Sequence, residues 1–484
     1  MQKIYKDLQN GSFYFFLAKY SNLFFQLLVT SILARLIPPT EFGVIAIAMV
    51  FILFFNQLSD AGLGTAIIQK RELTDQHLST YFIFTFIQGL VLLCIFNLCV
   101  PLIDRFYTEI ELNVILHTLS VSIFFFSAAT VPQALISKAK RFKELGYIAV
   151  VTNLFTGIVA IVLSLYLNEK VYALIIKVLL DAIISFIWIL IISRFSPKLI
   201  FKKSALKEVF SYSAFQFLHN FIHYFSRNVD NLVIGKYLGA GPLGFYDKAY
   251  RLMIMPIQNL THVITPVMHP VLSAFQDDKS SVVKVYENVV RLLAIIGFPL
   301  SVYLFFSARE IIQIVFGPDW IESIIPFKFL ALSIGFQMLI SSTKSIFQTA
   351  NETRSLFYST LISLIVLLIL MVFGITYDYN LNNFSKLILL HYLVSFVIVF
   401  YFLFKIVLET RIHHFIKLLV NPIIISISIG LVFYVIPLEI SNVFYSILVK
   451  SCIFIATYMV VSLILNETFL IKSLRKIIAN FKMN

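Results

Sequence analysis

The 484 residues are 59% apolar, 15% aromatic and only 13% charged, with a mean hydropathy of +0.90. A soluble protein carries about twice that fraction of charged residues, so the composition excludes a soluble globular enzyme. Apolar runs of about 20 residues recur along the chain, which predicts an all-α, polytopic membrane protein rather than an outer-membrane barrel. The net charge of +13 suits loops that face an anionic leaflet, so no nucleic-acid partner is expected.

Hydropathy predicts about fourteen membrane-spanning helices, with about twelve as the fallback if the last pair or a short span fails. The predicted spans cover residues 12–35, 42–67, 79–103, 112–136, 146–167, 171–193, 208–235, 243–270, 287–308, 323–347, 355–376, 384–405, 418–437 and 443–465. The basic connection over 194–207 is the best internal boundary. We therefore expect an N-terminal lobe of spans 1–6 over residues 1–200, a C-terminal lobe of spans 7–12 over 201–410, and two extra spans with a basic tail over 411–484.

Basic residues are distributed unevenly between the connections on the two sides of the membrane. The side of the N-terminus holds about 24 Lys or Arg residues, whereas the opposite side holds about five. Those few are Arg35, Arg105, Lys170, Lys236 and Arg309. The positive-inside rule therefore predicts that both termini lie in the cytoplasm. No connection exceeds roughly 20 residues, which leaves no room for a soluble catalytic domain and argues against a polytopic glycan polymerase or ligase.

A short segment near the N-terminus has a weak repeat in the middle of the chain. Residues 33–43 align without a gap with residues 234–244. In this alignment a basic residue pairs with a basic residue, and Gly43 pairs with Gly244. Each copy lies at a predicted outer hairpin, and the offset of 201 residues covers six spans. Because six is even, both halves have the same orientation and are related by a pseudo-two-fold axis along the membrane normal. A central cavity is expected between the two halves.

Charged and polar residues inside the spans concentrate on spans 1, 2, 7 and 8, which are the equivalent pairs of the two halves. Charge at membrane depth is costly, so its concentration there indicates function. The basic residues are candidate ligands of an anionic cargo, because Arg offers a planar fork suited to phosphate and Lys a point charge. These candidates are Arg227, Arg251, Lys248 and Lys19. The candidate ion-coupling or charge-balancing residues are Asp60, Asp230 and Asp181.

Several of these candidates also have a purely structural explanation. Lys248 lies close enough to a span end for its ammonium group to snorkel to the interface. Arg227 can pair with Asp230 at spacing i, i+3, as a bridge without a further role. Lys177 can neutralise Asp181 in the same way at spacing i, i+4.

The remaining polar residues in the spans give no metal or disulfide pattern. Lysines near other span ends are expected to snorkel, namely Lys328, Lys386 and Lys450. His219 and His223 stand one helical turn apart, which permits metal binding or proton transfer, but without a third ligand no metal is expected. The three cysteines lie in apolar spans and predict no disulfide framework.

Five runs of sequence together resemble a known family of transporters. They cover residues 32–43, 60–70, 227–239, 243–253 and 316–320, the last reading Phe-Gly-Pro-Asp-Trp. In combination they look like the Wzx-type polysaccharide flippases of the multidrug/oligosaccharidyl-lipid/polysaccharide (MOP) exporter superfamily, and most like the colanic-acid and teichuronic-acid exporter branch. The resemblance covers at least residues 20–350, and the last spans match only in hydrophobicity. The segment 349–354 is less Gly-rich than the corresponding family motif.

The resemblance implies two six-helix lobes around a cationic cavity, with extra C-terminal helices. It implies a flippase, not an enzyme, that carries undecaprenyl-diphosphate-linked oligosaccharide from the inner to the outer leaflet of the bacterial inner membrane. Alternating access would be driven by H⁺ or Na⁺ as the coupling ion, with no other cofactor. A polysaccharide polymerase and a chain-length regulator are candidate partners. A multidrug-type exporter of small molecules with the same fold is the alternative, although it would favour an acidic or apolar cavity.

Overall fold

The structure is a computed structural model that describes residues 2–60, 63–70, 73–108, 110–198, 200–202, 222, 224–273, 279–350, 352–377, 380–410, 412–436 and 440–467. Over these residues the chain forms helices and connecting turns, without a β-strand. Helices satisfy their backbone hydrogen bonds internally, which is what long apolar segments in lipid require. The predicted all-α, polytopic fold class is confirmed.

The chain divides into two compact units, Met1–Gly244 and Phe245–Asn484. The described helices of the first unit are α1 (Gln2–Leu36), α2 (Pro39–Asp60), α3 (Leu63–Gln69), α4 (Asp75–Phe106), α5 (Asn113–Lys138), α6 (Phe142–Tyr166), α7 (Val171–Ser193) and α8 (Val229–Tyr237). Helix α9 (Ala240–Ser273) begins in the first unit and continues in the second. The lobe boundaries predicted near residues 200 and 410 stay predictions.

The second unit is also mainly helical over its described residues. Its further elements are α10 (Lys279–Phe306), α11 (Ala308–Val315), a 3₁₀ turn (Pro318–Ser323), α12 (Ile324–Leu332), α13 (Ile334–Thr349), α14 (Thr353–Tyr377), α15 (Leu381–Tyr401), a π-helical turn (Phe402–Val407), α16 (Ile412–Val435) and α17 (Val443–Ile464). Asn380 and Asn442 begin α15 and α17, and each side chain accepts a backbone N–H of the first turn. Such caps satisfy donors that a helix start leaves unpaired.

Ten described helices are long and apolar enough to cross a membrane, and an eleventh span results if the bent pair α12 and α13 is counted as one. Helices α1 and α9, with 35 and 34 residues, also exceed the length that a bilayer requires. Most of the seventh predicted span, over 208–235, lies outside the described residues. The number of fourteen spans therefore stays a prediction.

The span predicted as one helix over 323–347 is bent by 50°. The bend lies at Ser333, whose hydroxyl donates to the carbonyl of Leu330 at 2.6 Å. On the far side of the bend, the N–H of Gly335 donates to the hydroxyl of Ser301 at 3.0 Å. A hydroxyl from another helix thus supplies a partner for a backbone N–H beside the bend. Hydropathy does not predict this bend, because the two helices together are apolar enough to read as one membrane span.

Two lysines predicted on the outer side bind carbonyl groups at the ends of other helices. The ammonium of Lys170 donates to the carbonyl of Leu36 at 2.6 Å, and that of Lys236 donates to the carbonyl of Phe106. The last carbonyls of a helix lack backbone partners and carry partial negative charge, so a lysine there satisfies both needs. These contacts give the outer lysines a structural reason for their position.

Two ion pairs, each with a buried carboxylate, hold the ends of α17 against other helices of the second unit. Glu467, whose side chain is fully buried, accepts from Arg291 at 2.7 Å and from Asn421 at 2.8 Å. Nearer the other end, Lys450 pairs with Glu310 at 2.6 Å, and both side chains are largely buried. The prediction that Lys450 snorkels to the interface is therefore wrong, because its ammonium group is neutralised inside the protein.

Candidate functional site

The two copies of the predicted repeat lie side by side in the first unit, at the starts of α2 and α9. A Cβ added to Gly43 would overlap the carbonyl oxygen of Ala240, and one added to Gly244 would overlap the carbonyl oxygen of Pro39. Pro39 and Ala240 are themselves equivalent positions of the repeat, so the two contacts are reciprocal. Glycine is required at both positions because backbone touches backbone there.

A third contact joins two equivalent residues of the repeat directly. A Cβ on Gly241 would lie 3.4 Å from Cγ2 of Thr40, its equivalent in the first copy. Residues that contact their own equivalents lie close to a two-fold axis. The geometry of these hairpins therefore has the local pseudo-two-fold relation that the sequence repeat predicts.

The charged residues at the start of α9 converge on one carboxylate. Asp247 Oδ2 accepts from Arg251 Nε at 2.8 Å and from Lys248 Nζ at 3.1 Å. We call these three residues the charge cluster. The side chains of Asp247 and Lys248 are 9% and 6% exposed, whereas that of Arg251 is 50% exposed. Lys248 thus does not snorkel to the interface; its ammonium is held inside the protein by Asp247.

The charge cluster has two positive charges and one negative, so its net charge is positive. Arg251 uses Nε to bind Asp247, and its half-exposed side chain presents its Nη groups as donors for an anion. Lys248 adds positive charge in a buried position, where electrostatic interactions are stronger than in water. This arrangement is suited to binding a phosphate-like anion.

The Phe-Gly-Pro-Asp-Trp run at 316–320 packs against the start of the helix that carries the charge cluster. Trp320 is fully buried, and its ring meets that of Phe245 edge-on at 5.9 Å. The hydroxyl of Ser323 donates to the carbonyl of Phe245 at 2.9 Å. Gly317 has a φ of 103°, which glycine adopts readily, and begins the 3₁₀ turn that carries Trp320. The motif therefore helps to position the charge cluster.

Arg227 and Asp230 lie where the predicted seventh span is interrupted. Arg227 is exposed in a turn that precedes α8, and Asp230 is buried in the first turn of α8, where it accepts the N–H of Asn231 at 2.9 Å. The hydroxyl of Tyr107 donates to a backbone carbonyl of α8 at 3.2 Å and so fixes this short helix within the first unit. The expectation of one continuous helix over 208–235 is wrong at this turn.

The two other residues predicted at the site from spans 1 and 2 lie in α1 and α2. Lys19 is half-buried on α1. Asp60 is the last residue of α2, and its side chain lies outside the described part of the structure. His219 and His223 also lie outside the described residues. The binding and coupling roles of these residues stay predictions.

Asp181 belongs to polar contacts that link three helices of the first unit. Its Oδ2 pairs with Lys177 at 2.7 Å, as the spacing predicts, and its Oδ1 accepts the hydroxyl of Thr156 from α6. One turn earlier on α6, Asn153 donates to Asn22 of α1 at 3.3 Å. The side chains of Lys177 and Asp181 are 19% and 32% exposed, so this ion pair is only partly buried in the protein.

Sequence reasoning missed the partners that hold the charged residues in place. Thr156, Ser323 and Tyr107 are neutral, so a search for charge inside spans passes over them. The one available signal is a hydroxyl within or beside an apolar helix, and many such hydroxyls bond only to their own helix. Glu310 and Glu467 carry charge, but their partners lie far away in sequence.

Comparison with known proteins identifies a family that the chain matches. A family model described as "Polysaccharide biosynthesis protein" matches residues 32–326, more than half of the chain. The matched region includes both copies of the repeat, the charge cluster and the Phe-Gly-Pro-Asp-Trp run.

Two relatives are about a quarter identical to the chain over the aligned residues. Teichuronic acid biosynthesis protein TuaB of Bacillus subtilis (strain 168) is 24% identical over 361 residues, which cover 74% of this chain and 74% of TuaB. Lipopolysaccharide biosynthesis protein WzxC of Escherichia coli (strain K12) is 26% identical over 307 residues, which cover 63% of this chain and 62% of WzxC. The match to WzxC thus spans slightly less than two thirds of that protein.

Among solved structures, the lipid II flippase MurJ in an inward closed conformation matches with a TM-score of 0.73 at 18% identity. The match covers 94% of this chain and 99% of MurJ. At this identity the likeness shows the fold, and it confirms the all-α, polytopic fold that the sequence predicts.

Proposed function

The chain belongs to the polysaccharide biosynthesis protein family, and from this premise we propose that it is a flippase for lipid-linked oligosaccharide. Its cargo is undecaprenyl-diphosphate-linked oligosaccharide, which it carries from the inner to the outer leaflet of the bacterial cytoplasmic membrane, with both termini in the cytoplasm. TuaB and WzxC are named for teichuronic acid and lipopolysaccharide biosynthesis, and MurJ is named a lipid II flippase. A flippase moves its lipid without changing a bond, so the chain is a transporter and not an enzyme.

The physical problem for such a carrier is the charge of the diphosphate. A diphosphate cannot cross about 30 Å of hydrocarbon unaided, because it would lose its hydration. A protein pathway must replace that hydration with donors and positive charge, while the lipid tail stays in the bilayer. Fixed cationic groups do this without reorganisation, which is why they suit a transported anion.

The observation that carries the proposal is the charge cluster of α9. Its net charge is positive, and Arg251 presents a half-exposed guanidinium group whose Nε is already fixed by Asp247. Such a group can bind two phosphate oxygens at once. We propose Arg251 as the first diphosphate ligand, with Lys248, Arg227 and Lys19 as further ligands.

The test is complementation of a strain whose own copy of the gene is deleted. Arg251→Ala and Arg227→Ala, each present in the membrane at the wild-type level, are expected to lower surface polysaccharide about tenfold, because each removes charge-assisted hydrogen bonds. Lys202→Ala removes an exposed lysine outside the hairpins and is expected to restore the wild-type amount. Full restoration by both arginine variants contradicts the proposal.

We further propose that transport is coupled to H⁺ or Na⁺, with Asp181 as the strongest candidate for the coupling group. Its carboxylate is only partly buried, and a proton or Na⁺ arriving there would compete with Lys177 for Oδ2. Loss of that bridge would free Lys177 and Thr156 and change the contact between α6 and α7. Asp60 and Asp230 are the second and third candidates.

The coupling proposal is tested with vesicles that contain the purified protein. Asp181→Asn keeps the shape of the side chain and the bond to Thr156, but it cannot take up a proton. Wild-type flipping is expected to accelerate under one imposed gradient, of H⁺ or of Na⁺, and flipping by the variant is expected not to respond. Equal acceleration of both proteins contradicts the role of Asp181, and no response of the wild type to either gradient contradicts ion coupling.

A multidrug-type exporter with the same fold is the less well supported function, because a net positive cluster repels cationic drugs. A polysaccharide polymerase and a chain-length regulator are proposed partners, since such proteins would act on the lipid that the flippase delivers. Co-purification from native membranes tests this point, and recovery of neither protein contradicts it.

A further inference from the structure

Within the second unit, one buried glutamine joins the helix of the charge cluster to the bend at Ser333. The side-chain Nε2 of Gln337 donates to Sδ of Met253 at 3.1 Å and to the hydroxyl of Ser333 at 2.7 Å. Gln337 is 8% exposed, and Met253 is fully buried. A buried amide in an apolar membrane-spanning segment is costly unless its hydrogens are bonded, so its presence there indicates a role.

Both contacts of Gln337 require the nitrogen end of its amide. A thioether only accepts hydrogen bonds, and the Ser333 hydroxyl uses its own hydrogen on the carbonyl of Leu330 at 2.6 Å. The amide nitrogen carries two hydrogens, one for each of the two acceptors. An apolar side chain or a carboxylate of the same length at position 337 therefore cannot make either bond.

The bend itself is fixed by a third helix, α10. The hydroxyl of Ser301 accepts the N–H of Gly335 at 3.0 Å and donates to the carbonyl of Gly297 at 2.7 Å. A Cβ on Gly335 would lie 2.7 Å from the Phe298 ring, so the bend packs against α10 without room for a side chain. The bend is thus anchored to α10, and the glutamine connects α9 to that anchor.

This connection meets α9 on the side that faces away from Arg251. Phe245, Ala249 and Met253 are spaced four residues apart, so they form one row along the helix. Arg251 stands two residues from each of the last two, which places it on nearly the opposite face. Ala249 and Met253 are fully buried, whereas the Arg251 side chain is 50% exposed. The contacts of this row therefore set the rotation of α9 that presents the guanidinium group.

The row is held at two levels, one on each side of the charge cluster. At the first level, Phe245 meets the ring of Trp320 and accepts the Ser323 hydroxyl at its carbonyl. At the second level, about 12 Å further along the helix, Met253 accepts from Gln337. Rotation of α9 about its axis would break these contacts. Gln337 supplies the contact that lies beyond Arg251 in the chain.

We propose that Gln337 is a positioning residue for the diphosphate, because it sets the direction in which Arg251 presents its guanidinium group. This inference rests on the proposed function of the charge cluster as the diphosphate site. A thioether is a weak acceptor, so the bond contributes little to stability. An Arg–phosphate pair with two parallel hydrogen bonds is directional, so its strength depends on the alignment of the guanidinium group. Loss of the Gln337 contact leaves every charge in place and misaligns that group.

The test is titration of the purified full-length protein with undecaprenyl diphosphate, with binding followed by native mass spectrometry. Gln337→Met keeps the length of the side chain and removes both donors, so it is expected to weaken binding about fivefold, the equivalent of one net hydrogen bond. Its melting temperature is expected to equal or exceed that of the wild type, because an apolar side chain replaces a buried amide. A merely structural role would instead lower stability and leave the affinity unchanged.

A second variant removes the same contact from the side of α9. Met253→Leu deletes the acceptor with little change in volume and is expected to weaken binding to the same extent as Gln337→Met. The double variant is expected to bind no more weakly than either single variant, because both substitutions act through one contact. Additive losses in the double variant overturn the proposal.

The matched control is Tyr286→Phe, which removes another buried hydrogen bond of α13. The hydroxyls of Tyr286 and Ser342 lie 3.2 Å apart and join α10 to α13, and α9 takes no part in this bond. The control is expected to bind undecaprenyl diphosphate as tightly as the wild type. Equal losses of affinity in Tyr286→Phe and Gln337→Met overturn the proposal.

Arg251→Gln, titrated in parallel, separates a failure of this inference from a failure of the proposed function. Weaker binding by Arg251→Gln together with wild-type binding by Gln337→Met overturns the role of Gln337 alone. Wild-type binding by Arg251→Gln overturns the diphosphate site itself, and the role of Gln337 with it. Weaker binding by both variants, with the control unchanged, is the result that we expect.

Discussion

The two hairpins of the repeat make equivalent backbone contacts, but one carries charged side chains where the other carries apolar ones. In both, a glycine on the first turn of the helix touches the first residue of the other hairpin's helix, at Gly43 with Ala240 and at Gly244 with Pro39. The next turns differ. Where α9 has the charge cluster, α2 has Ala46, Ile47 and Val50 at the equivalent positions, all of them buried.

This difference separates the scaffold from the binding groups. The glycines are kept in both copies because close approach of two backbones admits no side chain at either position. The charges occur in only one copy of the repeat. An anion needs a positive surface at one place, and charge buried at any other place costs free energy. Substitutions at the glycines and at the charged residues should therefore impair the protein in different ways.

The largest effect is expected for Gly244→Ala. Its Cβ would overlap the Pro39 carbonyl, so the hairpins would have to move apart, at a cost of about 3 kcal/mol or more. We expect most of the protein to be lost from the monodisperse fraction after detergent extraction, and the same for Gly43→Ala. Gly241→Ala is the control, because its Cβ would meet Thr40 at an ordinary contact distance. A stable Gly244→Ala protein would disprove the reciprocal contact.

A second experiment gives the α9 hairpin the residues of α2. The single variant Asp247→Ala leaves Lys248 buried without its carboxylate and is expected to lose about 3 kcal/mol of stability. The triple variant Asp247→Ala, Lys248→Ile, Arg251→Val removes all three charges and is expected to be more stable than the single variant, yet inactive in flipping. Thermal unfolding and complementation check the two expectations. An active triple variant would show that the charge cluster serves stability alone.

Glu310 and Lys450 form a buried ion pair outside the hairpins. Glu310 itself lies outside the membrane spans. Burial raises the pKa of Glu310, but hydrogen bonds from Lys450 and Ser446 outweigh it, and the pKa lies below its ordinary value of 4.5. A lowered pKa stabilises the folded state above about pH 4.5, and that stability is lost as pH falls through the folded-state pKa.

Glu310→Gln is therefore expected to lose about 2 kcal/mol at neutral pH and to show a flatter decline of melting temperature below pH 4.5 than the wild type. Flipping by the folded fraction is expected to remain at the wild-type rate, in contrast to the triple variant. Thermal unfolding measured between about pH 3.5 and about pH 7 checks the stability. An unchanged pH profile would mean that Glu310 is not paired in the folded protein.

The smallest effect is expected for Lys236→Met in the second hairpin. The variant keeps an apolar stem over the Phe106 ring but removes the ammonium group that caps α4, at a cost of about 1 kcal/mol. Flipping should not change, because this charge belongs to the scaffold. Lys202→Met serves as the control for the loss of a positive charge. A flipping defect as large as that of the triple variant would assign Lys236 to the binding groups instead.

The fold could be predicted because its cause is local. Runs of about 20 apolar residues require helices in a bilayer, and basic connections orient them, so neither inference needs contacts between distant residues. Bridges within one helix were also predictable: Lys177 and Asp181 stand four residues apart, and so do Asp247 and Arg251. Such pairs follow from helical periodicity alone.

Contacts between distant residues could not be predicted in this way. Glu467 binds Arg291, 176 residues away in sequence, and Lys450 binds Glu310, 140 residues away. Burial of Lys248 and exposure of Arg251 depend on which face of α9 packs inward, and the spacing of charges leaves that open. The bend at Ser333 likewise depends on a hydroxyl supplied by Ser301 from another helix.

The central claim is that the exposed guanidinium of Arg251 binds the diphosphate of the transported lipid. The most direct measurement is the initial rate at which vesicles containing equal amounts of wild-type protein or Arg251→Gln flip undecaprenyl-diphosphate-linked oligosaccharide. Since Arg251 is half-exposed, the variant should fold normally and flip at least about tenfold more slowly. A variant rate within about twofold of the wild type would contradict the claim.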